Sequence, residues 1–387
     1  MSGNFVASIS ASISMLGTTA IGTIVPFLFV LTIVVFFHEL GHFLVARWCG
    51  IKILVFSVGF GPELLGFTDR YGTRWKLAAI PLGGYVKFFG DENAASVPDP
   101  TALAAMSPEE RRVSFFHQPV AARSAVVAAG PIANFILAIA IFTSVFMFYG
   151  KQETAARVDE VLPGSAAAAA GFQPGDLVVA INGKTIESFN DMKEIVSLNA
   201  GEPLDVTVER GSALAHLRAT PTLTEEKDIF GNVHKIGVLG LRQSIAPADI
   251  KTRKFGPLGA FQQAVKQCWA VVDQTFTYLG KLAVGRASPD QLGGPLRIAQ
   301  MSGQMATLGF GTLMTWAGFI SVSIGLLNLF PIPLLDGGHL LFYAVEAVRG
   351  RPLSERAQEF GFRIGLAIVV MLMIFATWND ISHFMAS

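Results

Sequence analysis

The sequence predicts a multi-pass α-helical membrane protein with four transmembrane helices, a β-hairpin between the first two, and an α/β domain inserted between the second and third. Three observations predict this. Apolar residues make up 51% of the 387 and charged residues only 15%, against roughly 25% charged in an ordinary soluble domain. Four runs approach the roughly 20 apolar residues that a helix needs to cross a bilayer. Between the second and third runs, residues 155–224 carry the turn signals and short periods of a soluble α/β module.

The first run covers about 22–46 and passes from GTIVPFLFVLTIVVFF into HELGHFLVA. It lacks the basic start of a cleaved signal peptide, since residues 1–46 hold no Lys or Arg. The second covers about 123–149. The third covers about 312–345 and is interrupted by NLFPIPLLDGG, because Pro331 and Pro333 break a helix. The fourth covers about 362–378. The chain divides accordingly into 1–150, 151–224, 225–311 and 312–387.

Charge placement orients the spans. Lys52, Arg70, Arg74, Lys76, Lys87, Arg111 and Arg112 lie between the first two, and Arg349, Arg351 and Arg356 lie between the last two. Residues 364–387, like 1–46, hold no Lys or Arg. The positive-inside rule then puts both termini, and 150–311 with them, on the extracytoplasmic side. The stretch 91–112, rich in Ala, Pro and acid, reads as a mobile cytoplasmic linker. Basic and acidic residues balance at 29 each, so nothing points to nucleic acid. Cys49 and Cys268 fall on opposite sides of the membrane and are expected to stay unpaired.

The chemistry-bearing motif is His38-Glu39-Leu40-Gly41-His42. On a helix, i and i+4 share a face, so both imidazoles can reach one metal ion. Glu39 then stands beside the site as a general base. Three ionisable groups at the end of an apolar run are costly and mark function. A catalytic zinc takes three protein ligands and leaves a fourth position open. Asp336, in an apolar segment broken by prolines and glycines, is the candidate third ligand. A carboxylate there needs a cation or a proton, and unwound backbone at that depth must be buried or line a cavity.

HELGH at 38–42 and NLFPIPLLDGGH at 328–339, with GFGPELL, PLGGYVKFFGD, GPIANFILA and GGPLRIA in order, resemble the site-2 protease family of intramembrane zinc metalloproteases. The likeness is greatest to the bacterial regulator-of-sigma-E protease group. The resemblance implies Zn2+ held by His38, His42 and Asp336, with Glu39 as the acid/base that activates zinc-bound water. It implies that Asn328 positions the substrate backbone or the oxyanion. It also implies a bacterial inner-membrane enzyme of regulated intramembrane proteolysis. Its substrates would be single-span membrane proteins, either anti-sigma factors or signal-peptide remnants. His339 and Asn134 are candidates for supporting roles around the metal.

Cutting a transmembrane helix requires unwinding it. Residues 75–80 and 84–89 read as two strands around Pro81-Leu82-Gly83, and in the resembled family a membrane-re-entrant β-hairpin has this place. Its edge, at Gly83, Gly84 and Tyr85, would bind an extended substrate by strand addition. Residues 151–224 resemble a bacterial PDZ domain, a fold that binds peptide C-termini. Within it, 164–172 reads as a short helix closed by Gly171, 175–183 as a strand and turn, and 189–198 as an amphipathic helix. Residues 256–311 contain an amphipathic stretch with Trp269 and Tyr278, which reads as a helix lying at the outer membrane surface. Two other functions fit parts of the pattern. A non-enzymatic scaffold using the PDZ-like module needs no metal, and a transporter built on the broken third span has no use for Glu39.

Overall fold

The computed structural model describes residues 2–91, 103, 105–227, 233–243, 249–283 and 293–386. The chain forms two compact units. The first comprises Met1–Thr143, Phe261–Asp273 and Leu292–Ser387, and the second Ser144–Ala260 and Gln274–Gln291. Among the described residues, four helical segments are long and apolar enough to cross a membrane: Ile21–Trp48, Val120–Phe148, Phe310–Asn328 and Arg356–Ile381. Three coincide with the expected runs, whereas the third ends at Asn328 and covers only the first part of the run expected over 312–345, because the chain leaves the helix before Pro331 and Pro333.

In the first unit, helix α1 (Ser2–Trp48) leads into strands β1 (Ile53–Thr68) and β2 (Arg74–Phe88). Their arrangement differs from a hairpin turning at Pro81-Leu82-Gly83. Residues 75–80 and 84–88 lie in the single strand β2 and both pair with β1: Ser57 pairs with Lys76 and with Tyr85, and Val58 with Leu77 and with Gly84. Residues 63–68 of β1 pair in turn with 74–78. The chain can double back because Gly59 and Gly61 hold φ of 91° and 87°, which glycine tolerates without a Cβ clash. The segment 84–88 therefore belongs to a sheet wider than a hairpin.

The linker expected over 91–112 lies largely outside the described residues, and its end forms the short helix α2 (Pro108–Val113). Helix α3 (Val120–Phe148) is the second span. It contacts α1 where an added Cβ on Gly41 would stand 2.7 Å from Ala133 Cβ. Small residues set this approach, as in other helix pairs within lipid. Aromatic and aliphatic side chains from α1, the sheet, the loop at Phe115 and the start of α3 form one core: Phe43, Phe56, Phe88, Phe115 and Val126 are each at most 5% exposed.

In the second unit, β3 (Lys151–Thr154) and β4 (Val158–Val161) precede helix α4 (Ala166–Ala170), which is closed by Gly171 at φ 85°. Strand β5 (Leu177–Ile181) turns through Asn182 and Gly183 into β6 (Lys184–Thr185). Helix α5 (Phe189–Leu198) starts on a capping box between Ser188 and Asp191. Strands β7 (Leu204–Arg210) and β8 (Ala213–Ala219) complete a four-stranded sheet in the order β6-β5-β7-β8. The module runs past residue 224. Strands β9 (Thr222–Lys227) and β10 (Val233–Val238) pair, β11 (Leu241–Gln243) pairs with β4, and β12 (Ile250–Arg253) pairs with β3. Leu239 joins the core of Val158, Val178, Ile181, Leu204 and Val208. These late strands add long-range pairings that local pattern does not reveal.

Helix α6 (Pro257–Ala283) buries Ala260, Ala264, Cys268 and Val271 at helical spacing and leaves Leu258, Phe261, Val265 and Trp269 exposed. Helix α7 (Pro295–Thr307) begins on a remote carboxylate: Asp380 accepts from the backbone N–H groups of Gly294, Leu296 and Arg297 at 2.8–3.2 Å. Helix α8 (Phe310–Asn328) packs on α3 through Gly318 and Gly325, and Ser321 Oγ donates to the Asn134 carbonyl at 2.8 Å. Helix α9 (Asp336–Arg349) and helix α10 (Glu355–Ala386) end the chain.

Candidate metal centre

The HELGH motif lies in the last three turns of α1. Its imidazoles stack edge to face with ring centroids 4.8 Å apart, and the two Nε2 atoms are 3.2 Å apart. Helix α3 fixes both rings from behind. His42 Nδ1 lies 2.9 Å from the Val126 carbonyl, which only an Nδ1–H can satisfy. That leaves the Nε2 lone pair free to bind a metal. The Asn134 amide stands 3.3 Å from His38 Nδ1. Its Oδ1 is buried without a hydrogen-bond partner. Turning the amide over lets Oδ1 accept from His38 Nδ1–H and frees the second Nε2 in the same way, since amide orientation follows the hydrogen-bond network.

The third donor comes from the far end of the chain. Residues 329–335 are non-helical, and α9 starts at Asp336, whose carboxylate the helix N-terminus favours. Gly337 and Gly338 make this possible. A Cβ on Gly338 would meet Pro333 Cα at 2.5 Å, and one on Gly337 would meet the backbone of Leu329 at 2.5 Å. The strain of the turn falls on Leu334, at φ 107°, a value costly for a branched residue.

This turn brings Asp336 Oδ2 to 3.2 Å from His38 Nε2 and 3.5 Å from His42 Nε2. Tetrahedral zinc ligands at about 2.0–2.1 Å from the ion stand about 3.3–3.4 Å from one another, so the three atoms have the spacing of a zinc ligand set. Asp336 Oδ2 is shielded from solvent and accepts no hydrogen bond of good geometry. A buried orphaned carboxylate oxygen facing two imidazole nitrogens fits a cation held between them. Among the described residues, this trio is the group of His, Cys, Asp and Glu side chains able to share one metal.

A cavity of about 230 Å³ opens on the trio and is lined by Glu39, Gly84, Tyr85, Asn328 and His339 as well as the three donors. The edge of β2 presses on Glu39: a Cβ on Gly84 would stand 3.0 Å from Glu39 Cγ. Gly83 is not among the lining residues. Its backbone, at φ 111°, turns against the Phe60 ring. Asn134 stands behind His38 and not in the cavity. No residue pattern marks the Val126 carbonyl in advance, because a backbone acceptor leaves no residue signature. Helix α3 comes this close because residue 130 is glycine: a Cβ there would meet His38 Cε1 at 2.9 Å.

These features define a candidate metal site with a glutamate beside it, in a chain whose helices are long and apolar enough to cross a membrane. The chain belongs to Peptidase family M50, whose profile matches residues 26–372. A candidate zinc metalloprotease of Agrobacterium fabrum is 53% identical over 361 residues, which cover 93% of this chain and 96% of that one. The metalloprotease MmpA of Caulobacter vibrioides is 43% identical over 383 residues, with 93% and 96% covered. The PDZ domain of an SdrC-like protein of Listeria monocytogenes is similar over 22% of this chain and 84% of its own. Its identity is 19% and its TM-score 0.19, too low to define a fold.

Proposed function

We propose that this zinc metalloprotease is an intramembrane endopeptidase that cuts the transmembrane segments of other membrane proteins. The observation that carries the reading is the meeting of His38, His42 and Asp336 beside Glu39, on helices rich enough in apolar residues to lie in a bilayer. His38, His42 and Asp336 would hold Zn2+. When bound, zinc polarises a carbonyl oxygen as a Lewis acid and makes water a stronger nucleophile at neutral pH.

The protein's own groups do the rest. Glu39 takes a proton from the attacking water on its carboxylate and returns it to the nitrogen of the departing amine. The Asn328 amide, at the cavity wall, donates to the carbonyl oxygen as charge develops there. The edge of β2 at Gly84 and Tyr85 offers backbone N–H and C=O groups to an extended substrate. That pairing compensates the helical hydrogen bonds the substrate gives up. His339 shares the cavity and tunes its polarity.

Substrates in this reading are single-span proteins of the inner membrane, of the anti-sigma-factor type or signal-peptide remnants. Both termini of the enzyme face away from the cytoplasm, following its basic loops. The second unit acts as a PDZ-like module. A cavity of about 280 Å³ between α5 and residues 237–243, lined by Met192, Val196, Leu239 and Leu241, suits a peptide C-terminus added as a strand.

Co-expression with a single-span substrate tests the reading. Wild type is expected to produce a shortened product, and Glu39→Gln to produce none while retaining bound zinc. Equal cutting by both proteins would remove Glu39 from the chemistry.

A further inference from the structure

Helix α9 carries a row of polar side chains along one face. Asp336, His339, Tyr343 and Glu346 follow one another at intervals of three, four and three residues, the spacing that keeps side chains on one side of a helix. The first three line the cavity at the metal centre. Glu346 stands beyond it, ten residues from Asp336 (346 − 336), or about 15 Å along the axis.

The far end of this row is gripped from α3. The Arg123 guanidinium reaches Glu346 Oε1 at 2.6 Å, with the two side chains 11% and 13% exposed. It lies 4.8 Å over the Tyr343 ring and also interacts with the Tyr343 hydroxyl. Its Nε donates to the Gln118 carbonyl at 3.0 Å, so the guanidinium is anchored on its own side as well. A shielded, charge-assisted contact of this kind is stronger and more directional than an exposed ion pair.

Helix α3 also aims the imidazoles. Val126, one turn beyond Arg123, holds His42 through its carbonyl, and Asn134 stands behind His38. One helix is thus the common support of both donor helices. Helix α9 does not inherit its position from α8 as a continuous helix would, because residues 329–335 are non-helical. Its place along its own axis comes from the side chains that seat it. The tolerance is small. Asp336 Oδ2 stands 3.2 Å and 3.5 Å from the two Nε2 atoms. A slide of one residue rise, about 1.5 Å, would spoil a zinc ligand set whose bonds are about 2.0–2.2 Å long.

We propose that Arg123 is a positioning residue for the metal site: by holding Glu346 and Tyr343, it fixes α9 where the Asp336 carboxylate meets the two imidazoles. The proposal rests on the reading of His38, His42 and Asp336 as zinc ligands, and adds to it the group that brings the third ligand into register.

A double-mutant cycle on zinc affinity tests this, by chelator competition on the purified full-length protein. Asp336→Ala alone is expected to weaken zinc binding. Glu346→Gln removes the charge that Arg123 holds. With Asp336 present it is expected to weaken zinc binding at least about 5-fold, the lower end of coupling between separated sites. In the Asp336→Ala background, where no third ligand remains to be displaced, the further loss is expected to stay below about 2-fold. A pair that only supports the fold would lower the unfolding midpoint and change both affinities alike. Unchanged affinity in Glu346→Gln overturns the proposal, as does an equal loss in the two backgrounds. If Glu346→Gln does not fold, the double replacement Arg123→Met/Glu346→Met takes its place, since an apolar pair can replace a buried ion pair without loss of stability, and the same two comparisons decide. If Asp336→Ala binds zinc as tightly as wild type, the ligand reading itself falls and takes the positioning role with it.

Discussion

His42 and Gly130 are packed so closely that a single methyl group at residue 130 would stand 2.5 Å from His42 Cε1. The imidazole is held between this backbone and the Val126 carbonyl, so its direction is set by helix α3 as much as by its own helix.

Gly130→Ala is therefore expected to push both imidazoles off the shared point. Zinc affinity should fall at least about 10-fold, the scale of disturbing groups that orient a ligand. Chelator competition on the purified protein measures this directly, and retention of wild-type affinity would show that the rings move freely.

Asn134 should matter through its oxygen. Asn134→Ala leaves His38 Nδ1 without an acceptor, and affinity or activity should drop roughly 10–100-fold. Asn134→Asp keeps an oxygen in place and should recover much of the loss. A comparison of metal content and cleavage in the two variants separates orientation of the ring from mere packing.

Removal and return of metal should be reversible only with the complete trio. A chelator is expected to abolish cleavage by wild type, and added zinc to restore it. Asp336→Ala should stay inactive at any zinc concentration that does not precipitate the protein, and should bind less than one zinc per chain by elemental analysis.

Arg123 and Glu346 form an ion pair whose side chains are 11% and 13% exposed. Removing one partner leaves the other charge buried, which costs about 3 kcal/mol or more. Glu346→Ala should lower the unfolding midpoint in detergent, and the exchange of both charges should recover part of it.

In the second unit, Asp176 has a fully buried side chain that accepts from Arg210 Nε and Nη2 at 2.8 Å and from the Gln173 backbone at 2.9 Å. Burial alone would raise its carboxyl, but these donors hold it below the ordinary carboxylate range. A depressed folded value means that the stabilisation is complete above the unfolded value and is lost as pH falls through the folded one. Asp176→Ala should thus cost about 2 kcal/mol at neutral pH, and the gap from wild type should start to close below about pH 4. Thermal unfolding across that range reads it out.

The legible parts of this protein are those whose physics is local or expensive. HELGH announces itself because a helix puts positions 38 and 42 on one side, and Asp336 because a carboxylate amid apolar residues demands a partner. Residues 53–58 escaped notice as the centre of a sheet. They form an almost unbroken apolar run, without the alternation that marks a half-buried strand, and their partners lie 20 or more residues away. Gly83 looked equivalent to Gly84, but the backbone twist that separates them depends on where Phe60 comes to rest.

The division of the metal donors between α1 and α9 has a consequence for the cell that makes this protein. A nascent chain carries its paired imidazoles and glutamate into the bilayer early, yet the carboxylate follows only 298 residues after the first imidazole (336 − 38). Truncated products and stalled intermediates cannot assemble a hydrolytic centre. Proteolysis is thereby withheld until residue 336 has been made.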